Sequence, residues 1–342
     1  MQSEMHRIQW NLDQEYRAIR EEAGLLELSG YEILEVTGRD RIRFLHGMLS
    51  NDIKALDDGQ GCLAAMLNTQ GKTLAVMQVL RRKEDLLLLL GPGFMEKVQT
   101  HLRRYIISDQ VELASRAGHA IILSLQGRRS IEILRSCAKV PEALNPYDHF
   151  PLLLGEKTAH LMVSDRSGRG GADLLVQRAD YAQIRQYLLE SSSIQGILPA
   201  SLDALNIHRI EAGIPWHGVD ADESNLPLEA GFEKAISYKK GCYLGQEIIA
   251  RATFRGHLNR KLMGLVLEGN RPAFNGDNVF QDEKEVGRVT SSVFSPALQH
   301  PVALAYLRRE VWESGMELLV KSGEEFIKAK VAELPFAETT EG

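Results

Sequence analysis

From residue 62 to residue 90 the chain reads CLAAMLNTQGKTLAVMQVLRRKEDLLLLL. A first apolar run stops at the turn Asn68-Thr69-Gln70-Gly71, a second stops in the charged turn at residues 81–85, and five leucines close the stretch. Apolar segments of strand length, separated by turn residues, predict an antiparallel meander. On its N-terminal side, after a polar lead-in, residues 31–36 read as a strand closed by Thr37-Gly38. Asp40 then caps a helix whose Ile42, Leu45 and Leu49 share one face. On its C-terminal side, Gly91-Pro92-Gly93 breaks the pattern. A helix follows with Phe94, Val98, Leu102 and Tyr105 at helical spacing. Residues 111–114 and 120–125 read as strands and 128–137 as a helix. Strands and helices in this order predict an α+β architecture with sheets covered on one side.

Residues 141–151, with Pro141, Pro146 and Pro151, read as a linker. Beyond it, short strands at 161–164 and 174–177 are joined by the turn Gly168-Arg169-Gly170-Gly171, and 180–189 form an amphipathic helix. Ser201 caps another helix, with Leu202, Leu205 and Ile210 inward, which stops at Gly213. After about residue 260 helical signals disappear. Residues 262–267, 278–280, 286–290, 302–307, 317–320 and 326–331 read as short strands punctuated by Gly and Pro, a small all-β barrel or sandwich.

The chain has 342 residues, enough for two or three domains, and its 44% hydrophobic and 25% charged residues are those of a globular protein. A net charge of −6 argues against a general nucleic-acid binder, though a local basic patch is compatible with it. Cys62, Cys137 and Cys242 are far apart and odd in number, the usage of a reducing compartment. The N-terminus lacks the apolar core of a signal peptide, and the longest apolar run, residues 86–90, is far too short to cross a bilayer. These features read as cytoplasmic, with no membrane association.

No metal-site spacing is present, neither a paired Cys-x-x-Cys nor a His pair one helical turn apart. One cysteine can donate to a cluster shared with a partner, but a resident iron–sulfur site needs more thiolates. The Gly168–Gly171 stretch matches no phosphate-binding loop and reads as a hairpin turn. Cys242 stands apart, in Lys239-Lys240-Gly241-Cys242-Tyr243-Leu244-Gly245-Gln246-Glu247. A helix opening near Leu244 places unpaired N–H groups close to the thiol, and Lys239 and Lys240 add positive charge. Both favour thiolate. A small buried apolar sulfur fits the same pattern, and the local residues do not choose between the two. Cys62 and Cys137 lie in apolar-patterned segments and read as core.

Glu211, near a helix C-terminus, is unfavourably placed for the dipole. It is either solvated or held to accept a two-pronged hydrogen bond from an amino-heterocycle. Arg251, Arg255, Arg260 and Lys261 form a basic cluster, either a solvated face or a site for ligand carboxylates. Asp220, Asp222 and Glu223 read as a solvated acidic loop.

From about residue 15 to residue 337 the chain resembles the superfamily of the glycine cleavage T-protein, a tetrahydrofolate-dependent aminomethyltransferase. The matching stretches include Gly38-Arg39-Asp40-Arg41-Ile42-Arg43-Phe44-Leu45-His46, Leu49-Ser50-Asn51-Asp52-Ile53, Asn68-Thr69-Gln70-Gly71, Arg209-Ile210-Glu211-Ala212-Gly213-Ile214-Pro215, Leu226-Pro227-Leu228-Glu229-Ala230-Gly231 and Ser295-Pro296-Ala297-Leu298. Within it, Lys240-Gly241-Cys242-Tyr243-Leu244-Gly245-Gln246-Glu247 resembles the signature of the YgfZ-type folate-binding proteins, which support iron–sulfur enzymes. One departure from the T-protein pattern stands out. Where T-proteins carry an aspartate pair serving the folate chemistry, the residues near Ala75 and Val76 are apolar.

The resemblance implies a three-domain ring of the aminomethyltransferase folate-binding type. Residues 1–258 would form two intertwined α+β domains and residues 259–342 a C-terminal β-barrel, with tetrahydrofolate or a one-carbon derivative in the central opening. It implies that Glu211 holds the pterin ring and makes Arg251 and Arg255 candidates for the folate tail. The expected role is support of iron–sulfur client enzymes or assembly proteins through Cys242, as a reactive or ligating thiol. The alternative is aminomethyl transfer in the glycine cleavage system.

Overall fold

The computed structural model describes residues 2–190, 196–254 and 256–336. The chain divides into two compact units. One comprises Met1–Leu67, Leu74–Asn206 and Lys234–Leu244, the other Asn68–Thr73, Ile207–Glu233 and Gly245–Gly342. In chain order the elements are α1 (Gln2–Glu21), β1 (Ala23–Glu27), β2 (Glu32–Thr37), α2 (Arg41–Met48), β3 (Gly61–Leu67), β4 (Thr73–Arg81), β5 (Leu86–Leu90), α3 (Met95–Arg103), β6 (Glu112–Ser115), β7 (Ala120–Gln126) and α4 (Ser130–Cys137). They continue with β8 (His149–Leu154), β9 (Lys157–Val163), β10 (Gly171–Gln177), α5 (Tyr181–Glu190), β11 (Ile197–Pro199), α6 (Leu202–Glu211) and α7 (Gln246–Phe254). Last come β12 (Arg260–Leu267), β13 (Asn278–Gln281), β14 (Lys284–Ser295), β15 (His300–Arg308), β16 (Glu317–Ser322) and β17 (Glu325–Ala332).

The first unit is built on two sheets, of order β3-β4-β5-β2-β6 and β11-β1-β7-β10-β9-β8. The predicted meander is β3, β4 and β5, side by side. The expectation of one-sided sheets is corrected. One face of the first sheet packs Leu34, Val36, Met77 and Leu88 against Phe44, Leu45 and Val98 of α2 and α3. Its other face sets Ile33, Leu87 and Leu89 against Ile122, Met162 and Leu175 of the second sheet. The far side of that sheet is covered by Ile133, Leu134, Ile184 and Leu188 of α4 and α5. A strand buried on both faces needs no polar alternation, which is why Leu86–Leu90 are all buried.

Three further local expectations give way. The polar lead-in is α1 and β1, with Tyr16, Ala18 and Ile19 buried. The linker ends in β8, and Pro151 lies inside that strand. As the edge of its sheet, β8 tolerates a residue without an N–H. Asp40 stands at the N-cap position of α2 but makes no capping hydrogen bond to its first N–H groups, and pairs with Arg43 of that helix at 3.5 Å. Its Oδ2 accepts from the Gln110 N–H at 2.8 Å. Ser201 does cap α6, its Oγ accepting from the Ala204 N–H at 3.3 Å.

In the second unit the six C-terminal strands close into a barrel of order β12-β15-β14-β13-β16-β17, as expected, with β17 pairing back to β12. Closure leaves no exposed sheet edge. Leu265, Val279, Val289, Ala305, Val320 and Val331 fill its interior. The register of β14 against β15 shifts between Val289 and Ser291, a bulge that re-aims the side chains at that point of the strand. Among the described residues no helix is long and apolar enough to cross a membrane.

Candidate functional site

In the second unit, the last turn of α6 carries Arg209 and Glu211, and both side chains are buried. The Arg209 guanidinium, 1% exposed, donates to Asp220 and to Ser291 Oγ at 2.6 Å and stacks 4.7 Å above the Trp216 ring. Asp220, 2% exposed, also accepts from the hydroxyls of Thr290 and Ser291, each at 2.6 Å, and from the Trp216 N–H at 2.9 Å. Consecutive residues of a strand ordinarily point to opposite faces. Thr290 and Ser291 reach one carboxylate because the β14 bulge falls between Val289 and Ser291. Asp220 is therefore not the solvated loop acid expected from its acidic neighbours. It is the anchor that ties the end of α6 to the barrel.

Glu211 is 7% exposed, so its solvated reading is also corrected. Ser295 Oγ, at the end of β14, donates to Glu211 Oε1 at 2.5 Å, and His208 Nδ1 lies 3.9 Å from Oε2. The main chain there is pinned as well. The Phe336 N–H donates to the Glu211 carbonyl at 3.0 Å. The helix stops at Gly213, whose φ of +67° favours glycine and where an added Cβ would lie 2.6 Å from Leu334 Cβ. A carboxylate held out of water at the negative end of a helix costs stability unless it is well hydrogen-bonded. Such placements mark functional-site candidates.

The basic residues between helix and barrel do not act as one cluster. Arg251 is exposed and pairs with Glu247 along α7 at 3.1 Å. Arg260 donates to Ser224 O at 2.6 Å and to Glu229 Oε2 at 3.3 Å, beside the Tyr306 ring. Arg255 lies outside the described residues.

In the first unit, Cys242 is exposed. The helix expected to open near Leu244 begins only at Gln246. Lys240, expected to lend charge to the thiol, is instead buried at 7% exposure. Its ammonium donates to the main-chain carbonyls of His46, Leu49 (2.7 Å) and Asn51 (2.8 Å) and lies 5.0 Å from the Tyr243 ring centroid. Burial pushes Lys240 down to about 8, opposed by the nearby Asp52 and Cys62. His46 Nδ1 stands 3.3 Å from Asp52 Oδ1, and burial holds His46 below the ordinary histidine range. Cys62 is half-buried against the first core, and burial pushes its thiol up to about 12. Cys137 is half-buried, its thiol donating to Leu134 O at 3.4 Å. Ala75 is fully buried in the core and Val76 half-buried on the same strand. Sequence reading missed Ser295, Asp220 and the use of Lys240. The local hint was the run of three hydroxyl residues Thr290-Ser291-Ser292 between Val289 and Val293.

A layered α/β body followed by a closed six-stranded barrel, with a buried glutamate at a helix end beside that barrel, defines the class. Residues 4–240 match the GCVT N-terminal domain model, and residues 260–338 match the glycine cleavage T-protein C-terminal barrel domain. The aminomethyltransferase of Rubrobacter xylanophilus is 31% identical over 324 residues, covering 94% of this chain and 85% of that protein. That of Bacillus subtilis is 27% identical over 330 residues, covering 95% and 91%. The crystal structure of the glycine cleavage system aminomethyltransferase T from Bartonella henselae superposes with a TM-score of 0.85 at 22% identity, covering 96% of this chain and 90% of that one. The chain belongs to the glycine cleavage T-protein family.

Proposed function

We propose that this protein binds tetrahydrofolate, with Glu211 receiving the pterin ring. The observation that carries the reading is the buried, oriented carboxylate at the end of α6. The residues fit the group. A carboxylate offers about four lone-pair positions, and Ser295 donates to one of its oxygens. A pterin edge presents adjacent N–H donors, which suit two-pronged acceptance. Arg251 is the candidate for the glutamyl tail. Its exposed pairing with Glu247 is worth little, so the guanidinium turns to a ligand carboxylate at small cost. Arg255 stays a candidate on its sequence position alone. Glu211→Ala is expected to weaken tetrahydrofolate binding by about tenfold or more, since hydrogen bonds to charged groups contribute roughly 1.5–3 kcal/mol. Equal calorimetric affinities would remove Glu211 from the site.

Bound tetrahydrofolate supplies the amines that accept a one-carbon unit. The name shared by the relatives supports aminomethyl transfer as the reading of the chemistry. A second reading, support of iron–sulfur enzymes through Cys242 in the YgfZ manner, is favoured by particular residues of this chain. Ala75 and Val76 cannot orient or relay a proton, a contribution typically worth 10²–10⁴-fold, and Cys242 is the exposed thiol among three. Formation of methylenetetrahydrofolate from an aminomethyl-lipoyl carrier by the purified protein establishes the first reading. Its absence, with loss of iron–sulfur enzyme activities in a deletion strain that wild type restores and Cys242→Ser does not, establishes the second.

A further inference from the structure

The segment that carries Cys242 is laced to the chain that leaves α2. Ser50 Oγ donates to Ala235 O at 2.6 Å, and Asn51 Nδ2 to Lys234 O at 3.1 Å. The Ser237 N–H donates to Ser50 O at 3.0 Å, and the Leu244 N–H to Gly47 O at 3.1 Å. Between these ties Lys240 and Tyr243 turn inward, while Gly241 and Cys242 stay exposed. A Cβ added at Gly241 would meet nothing within 4 Å. We infer that Lys240 is a positioning residue for Cys242: by donating to the carbonyls of His46, Leu49 and Asn51 it latches the middle of the segment across the end of α2 and fixes where the thiol stands.

The chemistry suits the role. The last carbonyls of a helix lack intrahelical partners, and a cation at that end is favoured by the dipole. An ammonium has three donors, and three carbonyls take them. With its pKa at about 8, Lys240 is mainly protonated at neutral pH. The charged and titratable groups around it are His46, Asp52, Lys54, Cys62 and Tyr243. Lys240 thus does a different job from the one its place in the sequence suggests. It positions the thiol rather than activating it.

The importance of the thiol's position rests on the iron–sulfur reading of Cys242, but the latch itself is measurable without it. Hydrogen exchange at pH 7 on the full chain reads residues 234–244 directly. Lys240→Met is expected to speed exchange there at least tenfold while barrel protection is unchanged, and Lys240→Arg to recover most of it. Alkylation of Cys242 by iodoacetamide is expected to stay within about threefold of wild type in both variants. Unchanged exchange of 234–244 in Lys240→Met overturns the latch. So does an equal rise across the barrel, which reports general instability, and a tenfold fall in alkylation shows activation instead of positioning. With the latch intact by exchange, failure of Cys242→Ser to impair complementation overturns only the reading of the thiol.

Discussion

Replacing Asp220 by alanine tests the anchor that holds Glu211 in place. The carboxylate and the Arg209 guanidinium are both almost wholly withdrawn from water. Removing one member of a buried pair leaves the other charge uncompensated, at a cost of about 3–5 kcal/mol. The arrangement makes the effect asymmetric. Without Asp220, the guanidinium loses that carboxylate and keeps Ser291 Oγ and, at 3.4 Å, Ile214 O. Without Arg209, the carboxylate keeps two hydroxyls and the Trp216 N–H. Asp220→Ala should therefore cost more than Arg209→Met. Asp220→Asn, which keeps an acceptor for the hydroxyls but loses the charge, should fall between Asp220→Ala and wild type. Urea unfolding followed by tryptophan fluorescence measures this, because Trp216 lies against the guanidinium. A loss of at least about 3 kcal/mol is a large share of the roughly 5–15 kcal/mol that holds a typical fold. A loss under about 1 kcal/mol for Asp220→Ala, or a larger loss for Arg209→Met, would refute the account of the anchor.

Two further outcomes are expected. In the first unit, His149 Nε2 stands 3.2 Å from Gln60 O and its Nδ1 2.7 Å from His160 Nε2, and burial holds both rings below the ordinary histidine range. Burial lowers His160 to about 4, well below the unfolded value near 6.5. The unfolded chain then binds more protons between these values, so the pair's contribution is complete above pH 6.5 and is lost as pH falls through about 4. His160→Gln should shrink the difference in unfolding free energy between pH 7 and pH 4.5 by about 1–3 kcal/mol, and an unchanged difference in urea titrations would contradict this. Native thiol labelling at pH 8 should show one fast cysteine, Cys242, because burial leaves Cys62 almost wholly protonated and half-buries Cys137. Fast labelling of Cys62 in the folded protein would refute that ordering.

Element types and the C-terminal barrel were legible in the order of residues alone. Strand and helix periodicities are carried by residues two to four apart, and turns by Gly, Pro, Asn and Asp at the breaks. The meander at β3–β5, the cap at Ser201 and the stop at Gly213 could be read for that reason. Local pattern singled out Glu211 and Cys242, and family likeness gave each an expected role. Local pattern left each with two readings, because a carboxylate or a thiol takes its character from what surrounds it.

Those surroundings come from the folded chain. Leu86–Leu90 report apolar burial, but the second covering layer comes from distant strands. Glu211 meets Ser295 across 84 residues, Asp220 meets Ser291 across 71, and Lys240 meets Leu49 across 191. No local period reaches that far. Burial then reverses the default for a charged side chain, from solvated to paired. Asp220 thus becomes an anchor, Glu211 a held acceptor, and Lys240 a donor to main-chain carbonyls.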